Sequence, residues 1–132
     1  MDERVRAFLE QHHAAAMVTL KADGSPHVAR VGVGLVEGRL ESSGTKARVR
    51  TAHVRRDPRS TLMVYSQENP WEWLGLDTMV TIHDGPDAAE RNLALYRSLR
   101  GEPDDLREYL EAMVREERLI FEFEILRAYG QY

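Results

Sequence analysis

A chain of 132 residues with 42% hydrophobic residues, 30% charged residues and a net charge of −4 has the make-up of one ordinary domain whose core needs no metal or disulfide. It contains no cysteine, which removes disulfide frameworks and thiolate metal chemistry, and its acidic balance disfavours non-specific nucleic-acid binding. The N-terminal residues are charged throughout and no apolar run reaches the length of a signal-peptide core or a membrane span, so a cytoplasmic protein without a membrane partner is expected.

In chain order, Val5, Phe8 and Leu9 recur at i, i+3, i+4 with Asp2 as a cap, which predicts a short amphipathic helix over residues 2–12. Ala15 to Lys21 reads as a strand that ends at Asp23-Gly24, a hairpin signal. The next strand, His27 to Val36, places His27, Ala29, Val31, Val33 and Leu35 on one face. The other face carries Val28, Arg30, Gly32, Gly34 and Val36. Two glycines on one face leave room for a flat ligand or a second backbone, or they mark a bulge. After a turn at Glu37-Gly38, a third strand covers Arg39 to Ser43. A helix is predicted from Lys46 to about Arg56, ended by Asp57-Pro58.

Ser60 to Ser66 and Trp71 to His83 are the next two strands. In the longer one, Leu74, Leu76, Thr78, Val80 and Ile82 face one way and Trp71, Trp73, Gly75 and Asp77 the other. A helix from Pro86 carries Ala89, Leu93, Tyr96 and Leu99, and a second from Asp104 to Glu117 carries Leu106, Tyr109, Leu110, Met113 and Val114. Leu119 to Leu126 is a cleanly alternating final strand. Short turns and six or more mostly antiparallel strands with inserted helices predict an α+β fold, mainly β, as one barrel-like domain over residues 1–132.

The segment Ser42 to Ser60 is the functional focus. It holds Lys46, Arg48, Arg50, Arg55, Arg56 and Arg59 against the single acid Asp57, a formal +5 in an acidic chain. A bound anion explains such an island, and cations in the first turns of a helix oppose its dipole unless an anion is present. Ser42, Ser43, Gly44 and Thr45 come just before this helix, where they can cap an N-terminus that offers free N–H groups to a phosphate, so Ser43, Thr45, Lys46, Arg48 and Arg50 are the phosphate-site candidates. Arg55, Arg56 and Arg59 read as a helix end and solvated surface.

The five histidines, His12, His13, His27, His53 and His83, show no metal-ligand spacing, so no metal is expected. No G-x-S-x-G, P-loop or G-x-G-x-x-G is present, which removes the hydrolase and dinucleotide-fold readings. Trp71 and Trp73 suit a subunit interface or core edge better than a stacking platform. No residue stands out as a catalytic acid or base.

The runs MVTLKADGSPHVARVGV and ESSGTKARVRTAHVRRDPRSTLMVY resemble the pyridoxamine 5′-phosphate oxidase-like flavin and deazaflavin proteins, whose fold is the split β-barrel. The likeness is closest to their small actinobacterial branch, which uses coenzyme F-420. It is strongest at Asp23-Gly24-x-Pro26-His27-Val28 and at Arg55-Arg56-Asp57-Pro58-Arg59. It implies a homodimer with cofactor sites between subunits and a phosphate held just after the third strand, with Arg48-x-Arg50 matching the family's Arg-x-Lys. It also implies a ring along Arg30, Val31 and Gly32, which agrees with the glycine face. Family members often carry Asn-Leu where this chain has His53-Val54, and Pro-Val-Trp where it has Arg30-Val31-Gly32. The implied function is an oxidoreductase that moves a hydride between F-420 and a small unsaturated substrate. FMN is the alternative cofactor, and a non-enzymatic flavin-, deazaflavin- or haem-binding protein is the alternative role.

Overall fold

The computed structural model describes residues 1–132 in the order α1 (Glu3–Gln11), β1 (Ala14–Leu20), β2 (Pro26–Gly32), β3 (Gly34–Val36), β4 (Arg39–Thr45), α2 (Val49–Arg56), β5 (Arg59–Tyr65), β6 (Trp73–His83), α3 (Ala88–Arg100), α4 (Leu106–Arg115) and β7 (Arg118–Gln131). All strand pairs are antiparallel and form one sheet in the order β2-β1-β5-β6-β7-β4-β3. The two edge strands, β2 and β3, are consecutive in the chain with only Val33 between them, so the sheet must curl until its edges meet. The result is a split β-barrel with four helices.

The strand expected over His27 to Val36 is thus two strands on opposite edges. Inward-outward alternation runs unbroken through the junction, because the change is in the ladder partner and not in the pleat. Val33 is fully buried, its N–H donates to the carbonyl of His13 at 2.8 Å, and the Ser42 hydroxyl of β4 donates to the carbonyl of Gly32 at 2.6 Å. These bonds join the edges where no ladder does.

The first hairpin forms as Asp-Gly predicts. Gly24 has a positive φ of 85°, and Asp23 accepts from the Ser25 N–H and hydroxyl at 2.9 and 2.6 Å. Asp2 caps α1 by accepting from the N–H groups of Arg4 and Val5, and Val5, Phe8 and Leu9 are buried against one end of the barrel. Inside, Met17, Leu40, Leu62, Leu74, Leu76 and Phe121 are fully buried. Each such side chain contributes about 1.5–3 kcal/mol relative to exposure.

Several boundaries differ from expectation. β4 continues to Thr45 because Ser43, Gly44 and Thr45 pair with Ile120, Leu119 and Arg118 of β7. Ser42 to Thr45 are therefore ladder residues, not a helix cap, and α2 begins at Val49 instead of Lys46. β7 runs past Leu126 to Gln131 along β6, with a register shift at Asp77/Thr78 that leaves Leu126 out of step. Pro86 precedes α3, which starts at Ala88 and buries Ala88, Asn92, Leu93 and Leu95; the Ala89, Tyr96 and Leu99 stripe is half-buried beside them.

α3 covers the outer side of β3, β4 and β7. A Cβ on Gly34 would lie 2.8 Å from Leu99 and 3.2 Å from Leu95, so the missing side chain is what lets α3 sit down on β3. Glu41, 1% exposed, holds α3 electrostatically through Arg91 at 2.9 Å and is also bonded by Arg39 at 3.2 Å. No helix is long and apolar enough to cross a membrane.

Candidate functional site

β4 and β7 deliver the basic turn. Thr45 pairs with Arg118 across the ladder, and the Thr51 hydroxyl donates back to the Thr45 carbonyl at 2.7 Å, which folds residues 46–48 into a tight bend before α2. Arg48 is the N-cap residue of α2 but makes no side-chain cap bond. The N–H groups of Val49 and Arg50 find no acceptor in the chain, as the first turn of a helix leaves them.

Arg50 is the unusual member. It is half-buried, and its Nε is fully buried without a hydrogen-bond partner. Burial, followed by the neighbouring charges of Arg48 and Arg118, pushes its pKa below the ordinary guanidinium value. Arg118 is itself paired with Glu116 at 2.9 Å, whereas Arg50 has no carboxylate, so a desolvated cation at a helix N-terminus is left complementary to an anion. Lys46 is exposed and 3.7 Å from Glu117, so it flanks this group instead of entering it.

The other half of the basic stretch is engaged within the chain. Arg55 pairs with Asp84 at 2.7 Å, Arg56 donates to the Leu20 carbonyl, and Arg59 pairs with Asp57 at 2.7 Å. The Arg59 hydrogen bond holds the Asp57 carboxyl down to about 2. Of the six cations of the island, Lys46, Arg55, Arg56 and Arg59 have partners within the chain, and Arg48 and Arg50 have none.

Arg30, Val31 and Gly32 lie at the end of β2. Gly32 is exposed, and a Cβ there would meet only the His13 carbonyl at 3.9 Å, so its backbone is open to a flat ligand. Gly34, by contrast, is covered by α3. Val31 points into the core and can offer only its backbone, whereas Arg30 is exposed. The Ser42–Gly32 hydrogen bond ties this strand end to β4, and Thr45 is only three residue steps, about 10 Å, along β4 from Ser42. The open glycine and the basic turn are thus two ends of one short path. Ser43 does not face it: its hydroxyl donates to buried Asn92 of α3 at 2.5 Å.

The chain matches, over residues 1–132, the family described as pyridoxamine 5′-phosphate oxidase. It belongs to this family. Within the pyridoxamine 5′-phosphate oxidase family, a similar protein is the Mycobacterium tuberculosis (strain CDC 1551 / Oshkosh) biliverdin reductase that depends on reduced F-420. It is 32% identical over 105 residues, which cover 74% of this chain and 73% of that one. Among solved structures, a conserved hypothetical protein from Mycobacterium tuberculosis superposes with a TM-score of 0.81 at 17% identity, over 97% of this chain and 82% of its own. An F-420 reductase superposes with a TM-score of 0.77 at 20% identity, over 99% of this chain and 100% of its own. At those identities the likeness is one of fold, the split β-barrel.

Sequence reasoning missed two components of this family member's site region. Arg118 reaches Arg50 through the β4–β7 ladder, and strand pairing across 73 residues has no local signature in the chain. The second is a pair of histidines under α2. His53 is buried, its Nδ1 is 2.8 Å from the Thr19 hydroxyl, and its ring stands edge-on to His27 at 5.1 Å. Burial, then His27, Arg56 and Lys21, push the His53 pKa down. A helical reading that sets Val49, Ala52 and His53 on one narrow apolar stripe was the available signal, but of these only His53 is buried, together with Thr51 and Val54.

Proposed function

We propose that this chain is a reductase of the pyridoxamine 5′-phosphate oxidase family that binds coenzyme F-420 and acts on a small unsaturated organic substrate. The observation that carries the reading is Arg50, a half-buried cation with no carboxylate, set with Arg48 and Arg118 at the N-terminus of α2. Such a group accommodates the phosphate of the cofactor, with the free N–H groups of Val49 and Arg50 as further donors. The open backbone at Gly32 receives the edge of the ring, and Thr45 and Lys46 flank the path between.

When bound, the deazaflavin supplies the hydride chemistry. The protein's own part is to hold the phosphate, orient the ring against β2 and shield it from water. No side chain of the chain is assigned as acid or base. The biliverdin reductase relative supports a conjugated, unsaturated substrate. The outward face that carries Val28, 62% exposed, and Met63, 43% exposed, supports a homodimer that closes the site from the other side.

Titration of the purified full-length chain with F-420 and with FMN, followed by fluorescence, tests the reading. Saturable binding of F-420 without FMN is the expected result. Binding of FMN alone transfers the chain to flavin chemistry, and failure to bind either overturns the assignment.

A further inference from the structure

A second pair of cations lies away from the phosphate group. Arg30 of β2 and Arg100, the last residue of α3, both line a cavity of about 540 Å³ that also touches His13 and Gly32. A neighbouring cavity of about 560 Å³ shares Arg30 and Gln67 with it and is walled by Met63, Tyr65 and Trp73. No acidic side chain lines either one, in a chain where acids outnumber basic residues 22 to 18. Arg97, one turn earlier on α3, is paired with Glu102 at 2.7 Å; Arg100 has no such partner.

Arg100 is held here by the fold. Leu99 packs into the space left by Gly34, which seats the last turn of α3 on β3. His13, which lines the same cavity, is fixed by its Nδ1, 3.1 Å from the Val33 carbonyl, and by the Val33 N–H bonded to its own carbonyl. The two cavities therefore combine the guanidinium groups of Arg100, in the first, and Arg30, shared by both, with a sulfur and two aromatic rings in the second. A guanidinium binds a planar carboxylate through paired N–H donors, and rings with a thioether favour a flat conjugated body.

We infer that Arg30 and Arg100 are specificity-determining residues that recognise the carboxylate of a flat, conjugated substrate whose body lies along Met63, Tyr65 and Trp73. The inference rests on the reading that Gly32 faces the cofactor ring: Gly32 lines the cavity of Arg30 and Arg100, and the neighbouring cavity joins it through the shared Arg30 and Gln67. It adds the substrate class: a conjugated carboxylic acid.

The test uses a fluorescent probe, stilbene dicarboxylate, and its uncharged counterpart stilbene dicarboxamide, titrated into the full-length protein saturated with F-420 and, separately, into the protein alone. The dicarboxylate binds the wild type more tightly than the diamide. Arg100→Gln and Arg30→Gln each weaken the dicarboxylate roughly tenfold or more and leave the diamide unchanged, while Arg100→Lys recovers part of the loss. The F-420 dissociation constant of Arg100→Gln stays at the wild-type value. Equal binding of dicarboxylate and diamide, or no effect of either Gln variant, overturns the inference. A loss of F-420 affinity in Arg100→Gln assigns the cation to the cofactor and also overturns it. Failure of the wild type to bind F-420, with the probe results intact, removes the cofactor reading alone and leaves a carboxylate site.

Discussion

The hydroxyl of Ser42 donates to the carbonyl of Gly32 across 2.6 Å, and with that bond β4 reaches the strand at the far edge of the sheet. Both partners are where the curled sheet has no ladder to close it, so a side chain, beside the one backbone bond from Val33 to His13, stands in for strand pairing. Ser42→Ala leaves the carbonyl without this donor in a part-buried position. The expected cost is about 1–2 kcal/mol of unfolding free energy, measured by chemical denaturation. An unchanged midpoint would show that the edges are held together elsewhere.

Arg50→Ala removes the cation with no carboxylate partner. Phosphate-bearing cofactor affinity should fall by about 1–3 kcal/mol, while stability stays level or rises because a desolvated charge facing Arg48 and Arg118 is gone. Arg55→Ala is the matched control. Its guanidinium is engaged by Asp84, so cofactor titrations of that variant should overlay the wild type. Equal dissociation constants for Arg50→Ala and wild type would reject the phosphate assignment.

Glu41→Gln strips the charge from the carboxylate that Arg39 and Arg91 share. Both guanidinium groups are partly exposed and keep Glu37 and Glu122 as second partners, so the loss is that of the charge-assisted hydrogen bonds to a buried carboxylate, about 1–3 kcal/mol of stability. Because Arg91 belongs to α3, the loss should appear in hydrogen exchange as faster opening of residues 88–100 than of β1. Uniform exchange across the chain would speak against a local anchoring role.

Acidification should destabilise the fold through His53. Its pKa is held below the ordinary value of 6.5 by burial first, and then by His27, Arg56 and Lys21. Above 6.5 neither the folded nor the unfolded chain protonates it, and the full stability is present. As the pH falls below 6.5 the unfolded chain takes up a proton that the folded chain resists, so stability declines until the pH passes the folded value. Thermal unfolding across about pH 7 to about pH 5 should therefore fall more steeply in the wild type than in His53→Asn. Parallel curves would assign the acid sensitivity to other groups.

The strands of this fold were legible because most of them alternate. Leu74, Leu76, Thr78 and Val80 face inward as their period demands, and Asp23-Gly24 marks its hairpin by turn chemistry alone. What was not legible depends on partners distant in the chain. Val33 keeps the alternation of its neighbours, so nothing local shows that the chain leaves one sheet edge and joins the other. β4 runs on to Thr45 only because β7 extends its ladder, which moved the start of α2 to Val49. The basic stretch was legible as a candidate anion site from its charge, but the helix electrostatics used to divide it put Lys46 and Arg48 in first turns that α2, starting at Val49, does not contain. The engagement of Ser43 by Asn92 and the approach of Arg118 were not legible, since each spans the distance between β4 and elements near the C-terminus.

The position of β7 between β6 and β4 fixes when the protein can fold during synthesis. Until residues 118–131 have left the ribosome, the nascent chain can pair β2, β1, β5 and β6 as one sheet and β3 with β4 as a hairpin, but no ladder joins the two. Translation from the N-terminus thus delivers two half-assemblies with exposed apolar faces, and the final strand welds them. A truncation that removes β7 should therefore leave two half-sheets that no ladder joins, and the turn that gathers Arg48, Arg50 and Arg118 needs β7 in place.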